Sequence, residues 1–249
     1  MKSGRLWMWA AYGKHPAARD FFRIGHEFPL LKIFSGWVDN GYTMLAQKNS
    51  NSMLNSWRFW AKGTEKESLI CGLIKDSSDS IGRNYPLLII GTGFLQGWEE
   101  QWDLMPLACE KNWSEIEYIS TQNFNDVKKL ETEVKNIRQP QPVWQELKSK
   151  KDLFHAGNES ALQNIPHVSP EKNENLIPLD QDLYNDQNLL LSHWHSLFRK
   201  SDEKIPNAVF MGGSFGRSFI GFYKRPLTSV DFIQLWTAGS NIEQSKINQ

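Results

Sequence analysis

The side chains best suited to chemistry in this chain stand together in Asp79-Ser-Ile-Gly-Arg83, directly ahead of the apolar run Tyr85 to Ile90. A carboxylate and a guanidinium four residues apart, with a glycine between them, admit two readings. In one, Asp79 accepts backbone N–H groups in an Asx turn and Gly82 supplies a φ that other residues resist. Arg83 then clamps Asp79, or Asp20 from the N-terminal loop, through a bidentate pair. In the other, Arg83 holds an anionic ligand while Asp20 and Asp79 hold a metal or a water. The first needs no substrate and is the simpler of the two; the second stays open.

Other chemical motifs have plainer readings. The stretch Gly212-Gly-Ser-Phe-Gly-Arg-Ser218 resembles a phosphate-cradling loop, but Arg217 stands where such a loop needs lysine, and a strand-like segment follows instead of a helix. It reads as a hairpin turn. His193 and His195 are two apart in a segment that looks helical, so they point to different faces, and no acidic or thiol cluster completes a metal site. His155 and His167 fall in a polar stretch and are weaker candidates. Cys71 and Cys109 show neither metal spacing nor an activating neighbour. The expectation is no catalytic residue, no cofactor and no metal.

The elements that must position these residues follow from composition and periodicity. The chain balances 28 basic against 28 acidic side chains, which leaves no general drive toward nucleic acid or anionic lipid. Two thiols suit a reducing compartment, and no apolar run approaches the length of a membrane span. A cytoplasmic protein without membrane insertion is expected. The eleven tryptophans are large core side chains or exposed interface anchors.

Strands are expected at Leu6–Tyr12, Trp57–Ala61, Ser68–Ile74 and Tyr85–Gly91. A helix is expected over Phe28–Leu45, with Leu31, Phe34, Trp37, Val38 and Leu45 on its apolar face and Gly36 and Gly41 weakening it. Helical spacing resumes from Gln96 to Thr121, broken near Pro106, with Trp98, Trp102, Met105, Leu107, Trp113 and Ile116 as buried positions. Asn125–Arg138 reads as a surface amphipathic helix. Residues 139–182 read as an irregular linker. A helix over Asp186–Arg199, strands at Ala208–Met211 and Arg217–Tyr223, and a helix over Thr228–Trp236, capped by Thr228 or Ser229, make a helix-hairpin-helix over 186–237. A frayed tail is expected over 238–249. The links between the central strands are short, which favours antiparallel pairing. The predicted fold is a single α/β (α+β) domain spanning 1–249, with a central, largely antiparallel sheet flanked by helices.

Three blocks across residues 7–91 carry a resemblance. They are Tyr12-Gly-Lys14-His-Pro16 with Asp20-Phe21 and Trp37; Trp57-Arg58-Phe59; and Gly72, Leu73, Ser77, Asp79, Gly82, Arg83, Tyr85, Pro86 and Leu87. In order and spacing they resemble the TagF/ImpM family associated with bacterial type VI secretion. Arg19 stands where that family commonly has glycine, and Asp76 where it commonly has proline. The resemblance implies an α/β domain that is a cytoplasmic accessory of the secretion machine. It also implies a non-enzymatic, post-translational repressor of assembly that binds a forkhead-associated (FHA) scaffold protein. Lys14, Asp20, Trp57, Arg58, Asp79 and Arg83 are expected as a partner-binding or signature cluster at one end of the sheet. The alternatives are a small-molecule or anion-binding module or hydrolase built on Asp20, Asp79 and Arg83, and a structural subunit of the secretion baseplate.

Overall fold

Successive side chains on a strand leave a sheet on opposite sides. A run such as Ser68-Leu-Ile-Cys-Gly-Leu-Ile74, apolar at nearly every position, therefore needs cover on both faces. The computed structural model provides that cover; it describes residues 7–47, 54–158, 172–179, 186–202 and 204–247. Among these residues eight strands form one antiparallel sheet. They are β1 (Met8–Gly13), β2 (Phe22–Gly25), β3 (Asn55–Lys62), β4 (Ser68–Lys75), β5 (Leu87–Phe94), β6 (Glu174–Leu179), β7 (Ala208–Ser214) and β8 (Arg217–Tyr223), in the order β2-β1-β5-β4-β3-β7-β8-β6. The fold is α+β.

One face carries Trp9, Ala11, Trp60, Leu69, Cys71, Leu73, Leu87 and Ile89. It packs beneath a 3₁₀ turn (Glu99–Leu104) and the helices α2 (Met105–Ala108), α3 (Glu110–Thr121), α4 (Val127–Asn136) and α6 (Gln187–Ser201). The other face carries Ala10, Trp57, Phe59, Ile70, Ile74, Leu88, Ile90 and Phe210 beneath α1 (Pro29–Ala46) and α7 (Ser229–Ile247). The predicted face of α1, Leu31, Phe34, Trp37, Val38 and Leu45, is the buried one. Gly41 lets α7 approach, since a Cβ there would stand 2.4 Å from the Phe232 side chain. Gly91 does the same for Trp9, its partner across the β1–β5 ladder: a Cβ would meet the indole ring at 2.3 Å.

The six positions expected to be buried between Trp98 and Ile116 all are. Pro106 opens α2, in the first turn where its missing N–H has no helical partner to lose. The 212–218 motif is a hairpin turn: Ser214 pairs with Arg217, and Gly216 takes the left-handed φ of +74°. Thr228 caps α7, its N–H and hydroxyl both donating to Asp231, while the Asp231 N–H returns to the Thr228 carbonyl.

Three expectations are corrected. The stretch 139–182 is not an irregular linker throughout: it contains α5 (Trp144–Gly157) and β6. No residue of α5 is fully buried, so it carries little apolar periodicity. It is held by Trp144 and Leu147 against the core and by the Lys151–Asp103 ion pair at 2.5 Å. Among the described residues β6 is an edge strand paired only with β8, where Pro178 is tolerated. The C-terminal helix does not end at Trp236 but runs to Ile247. The strand expected from Tyr85 begins at Leu87, because the Tyr85 N–H turns aside to the Ser77 carbonyl. Leu6 and His167 lie outside the described residues.

Candidate functional site

The ends of β1 and β4 and the start of β5 meet at one edge of the molecule, and the 76–86 loop folds over them. Within that loop Gly82, at φ +81°, sends its N–H back to the Asp79 carbonyl at 3.0 Å. This closes the turn that aims Asp79 inward. The Asp79 carboxylate then accepts from the Ile81 N–H (3.2 Å), the Arg83 N–H (2.9 Å), Arg83 Nε (2.7 Å) and Lys14 Nζ (3.0 Å). Burial pushes this carboxyl up. The Arg83 N–H, the Lys14 ammonium, the Arg83 guanidinium and the Ile81 N–H outweigh that and hold it well below the usual carboxylate range.

Arg83 divides its donors. Its Nε goes to Asp79, and its terminal nitrogen goes to the Arg19 carbonyl at 2.7 Å, with Asp20 at 3.5 Å. The Ser80 N–H adds a 2.8 Å bond to the Ala18 carbonyl. The 79–83 turn is thus stapled to the 15–21 loop. Lys14, nearly buried, lies 4.7 Å from the centroid of the Phe21 ring, and Phe21 meets Tyr85 edge-on at 4.5 Å. Behind them the Tyr12 and Tyr85 hydroxyls both donate to Asp39 of α1, Tyr12 at 2.7 Å. Burial, then Asp39, pushes the Tyr12 phenol up to about 12.

Four of the six signature residues, Lys14, Asp20, Asp79 and Arg83, therefore come together. Trp57 and Arg58 do not join them. Trp57 is fully buried beneath α1 and α7, beside Phe219. Arg58, its neighbour in sequence, leaves the opposite face of β3 and forms a bidentate pair with Glu117 of α3 at 2.6 and 2.7 Å. Asp39 belongs to the cluster and was not expected there. An aspartate on a helix ordinarily reads as a solvated position, and only the fold brings the two tyrosines to it.

An anion or hydrolytic site on Asp20, Asp79 and Arg83 needs donors and lone pairs to spare. Both Asp79 oxygens accept two bonds within the protein, and Arg83 is engaged at Nε and at one terminal nitrogen. Elsewhere, His195 is fully buried: Trp60 Nε1 donates to its Nε2 at 3.0 Å, so its Nδ1 carries the proton and donates to the Leu191 carbonyl at 2.7 Å. His193 faces His155 of α5 at 3.0 Å instead. Cys71 and Cys109, distant in sequence, meet in the core. Burial, then the contact with Cys109, pushes the Cys71 thiol up. Among the described residues no three His, Cys, Asp or Glu side chains gather into a set able to hold a metal ion.

Residues 10–139, just over half of the chain, match the family model described as the TagF N-terminal domain, type VI secretion system-associated. The crystal structure of PA0076 from Pseudomonas aeruginosa PAO1 superposes with a TM-score of 0.46 at 15% identity, over 92% of this chain and 94% of that one. No curated protein matches the chain.

Proposed function

Since the chain belongs to the family of type VI secretion system-associated TagF N-terminal domains, we propose that it regulates that machine by contact with another protein, without catalysis. In this reading it is a cytoplasmic, post-translational repressor of assembly, and its partner is an FHA-domain scaffold protein. The observation that carries the reading is the saturation of Asp79. The most chemically capable carboxylate of the signature is spent on four internal donors. Outward the stapled loops present two apolar side chains, Phe21, 50% exposed, and Ile81, 63%, beside the exposed Asp20 and Arg83. A rigid loop carrying apolar side chains suits a protein interface. Among the described residues no helix is long and apolar enough to cross a membrane.

Co-purification from the native host tests the proposal. Wild-type chain should retain the FHA scaffold, and a Phe21→Ser/Ile81→Ser variant with unchanged melting temperature should retain at least tenfold less. Absence of any complex with the wild-type chain would overturn this function.

A further inference from the structure

We propose that a cavity beside the signature loop, bounded by the ends of β4 and α1, by Ser120 of α3 and by Trp236 of α7, is the seat for an acidic side chain of the partner protein, held by the Lys75 ammonium. The inference rests on the protein-contact reading above and adds the chemistry of what is recognised.

Lys75 ends β4 and is half-buried, yet among the described residues its ammonium makes no hydrogen bond and no ion pair. Its neighbours are satisfied. Lys14 has Asp79 at 3.0 Å and Arg58 has Glu117 at 2.6 Å. The two carboxylates whose fields reach Lys75 are those of Glu117 and Asp76. Glu117 gives both oxygens to Arg58. Asp76 accepts from the Asn55 N–H at 2.9 Å and from Trp236 Nε1 at 2.8 Å. Burial pushes the Lys75 ammonium pKa down, against the pull of Glu117 and Asp76. A partly desolvated ammonium without a partner is unfavourable, and an anion arriving from outside would complete it.

The cavity has the shape for such a group. It measures about 530 Å³; Lys75, Ser77, Ser78 and Asp76, whose carboxylate is already taken by the Asn55 N–H and the Trp236 indole, line its polar side, and Tyr42, Leu54 and Trp236 its apolar side. Leu54, 78% exposed, also lines an adjoining cavity of about 380 Å³, with Phe215 at the hairpin tip 91% exposed beside it. Two adjoining hollows joined by exposed apolar side chains exceed the reach of a small free anion. They suit a peptide segment that places a carboxylate on Lys75 and an apolar neighbour against Leu54.

Trp236 lines the cavity, and its indole N–H, donated to Asp76, is a local NMR reporter. In full-length wild-type chain, N-acetyl-glutamyl-leucinamide should shift its cross-peak saturably, and inorganic phosphate should shift it at least tenfold less at equal concentration. Lys75→Met, which keeps the aliphatic stem, should abolish the peptide shift while leaving the other indole cross-peaks in place. No shift, an undiminished shift in Lys75→Met, or an equal response to phosphate overturns the inference. In the co-purification, Lys75→Glu should lower retention of the scaffold at least tenfold. If wild type and Lys75→Glu retain it equally, this inference fails while the regulatory reading stands. If wild type retains none, the regulatory reading fails and the peptide titration alone decides the seat.

Discussion

The Lys14 ammonium lies 3.0 Å from the Asp79 carboxylate, and the two side chains are almost wholly withdrawn from solvent where β1 ends and the turn into β5 begins. They join parts of the chain that are 65 residues apart in sequence, as Lys14 and Asp79 are numbered. That ion pair, with Arg83 on the same oxygen, locks the shape of the signature end.

Asp79→Asn should lower the melting temperature at neutral pH, and Asp20→Asn, whose side chain is 67% exposed, should change it little. The pH dependence has a definite sign. The folded carboxyl is held below its unfolded value of about 4, so the folded state binds fewer protons. The stabilisation is fully present above about pH 4 and is lost as the pH falls through the lower, folded value. Thermal melts should therefore show wild type and Asp79→Asn converging below about pH 4.

His195 has the same sign at higher pH. Burial lowers it to about 4, against the Leu191 carbonyl bond and Asp103. Stability should fall as the pH drops from about 6.5 toward 4, by up to about 1.4 kcal/mol per unit from this group. Denaturant titrations across that range should show a shallower slope for His195→Leu. Trp60→Phe removes the donor to His195 Nε2 and should cost about 1–3 kcal/mol at neutral pH.

The Arg58–Glu117 pair is well formed but partly open to water, with side chains 26% and 37% exposed. A double-mutant cycle with Arg58→Met and Glu117→Gln should return a coupling of only about 0.5–1 kcal/mol, shrinking with added salt. A coupling several times larger would mean that this pair organises the fold.

Two glycines should answer oppositely to alanine. Gly91→Ala drives a methyl to 2.3 Å from the Trp9 ring and should destabilise by about 1–3 kcal/mol. Gly36 lies inside α1 with nothing within 4 Å of an added Cβ, so Gly36→Ala should stabilise by about 0.5–1 kcal/mol. Chemical denaturation of the two variants beside wild type measures both.

Local pattern was enough for elements that bury a full face. The apolar stripe of α1, the unbroken run of β4 and the glycine turn between β7 and β8 each carry their own signal in consecutive residues. It failed where an element leans on a distant neighbour. α5 buries no residue completely, and β6, among the described residues, pairs with β8 alone.

The site divides along the same line. The turn at Asp79, Gly82 and Arg83 was one of two readings open from the residues alone, because an Asx turn and a left-handed glycine are local chemistry. The sequence by itself determined that Trp57 and Arg58 part company, since adjacent residues on a strand face opposite ways, although expecting both in one cluster overlooked it. Packing in three dimensions brings Lys14 to Asp79, lets Tyr12 and Tyr85 share Asp39 and, among the described residues, leaves Lys75 without a hydrogen bond or ion pair. Those relationships depend on which strands lie side by side and how loops cross their ends, and no periodicity within a short segment encodes that.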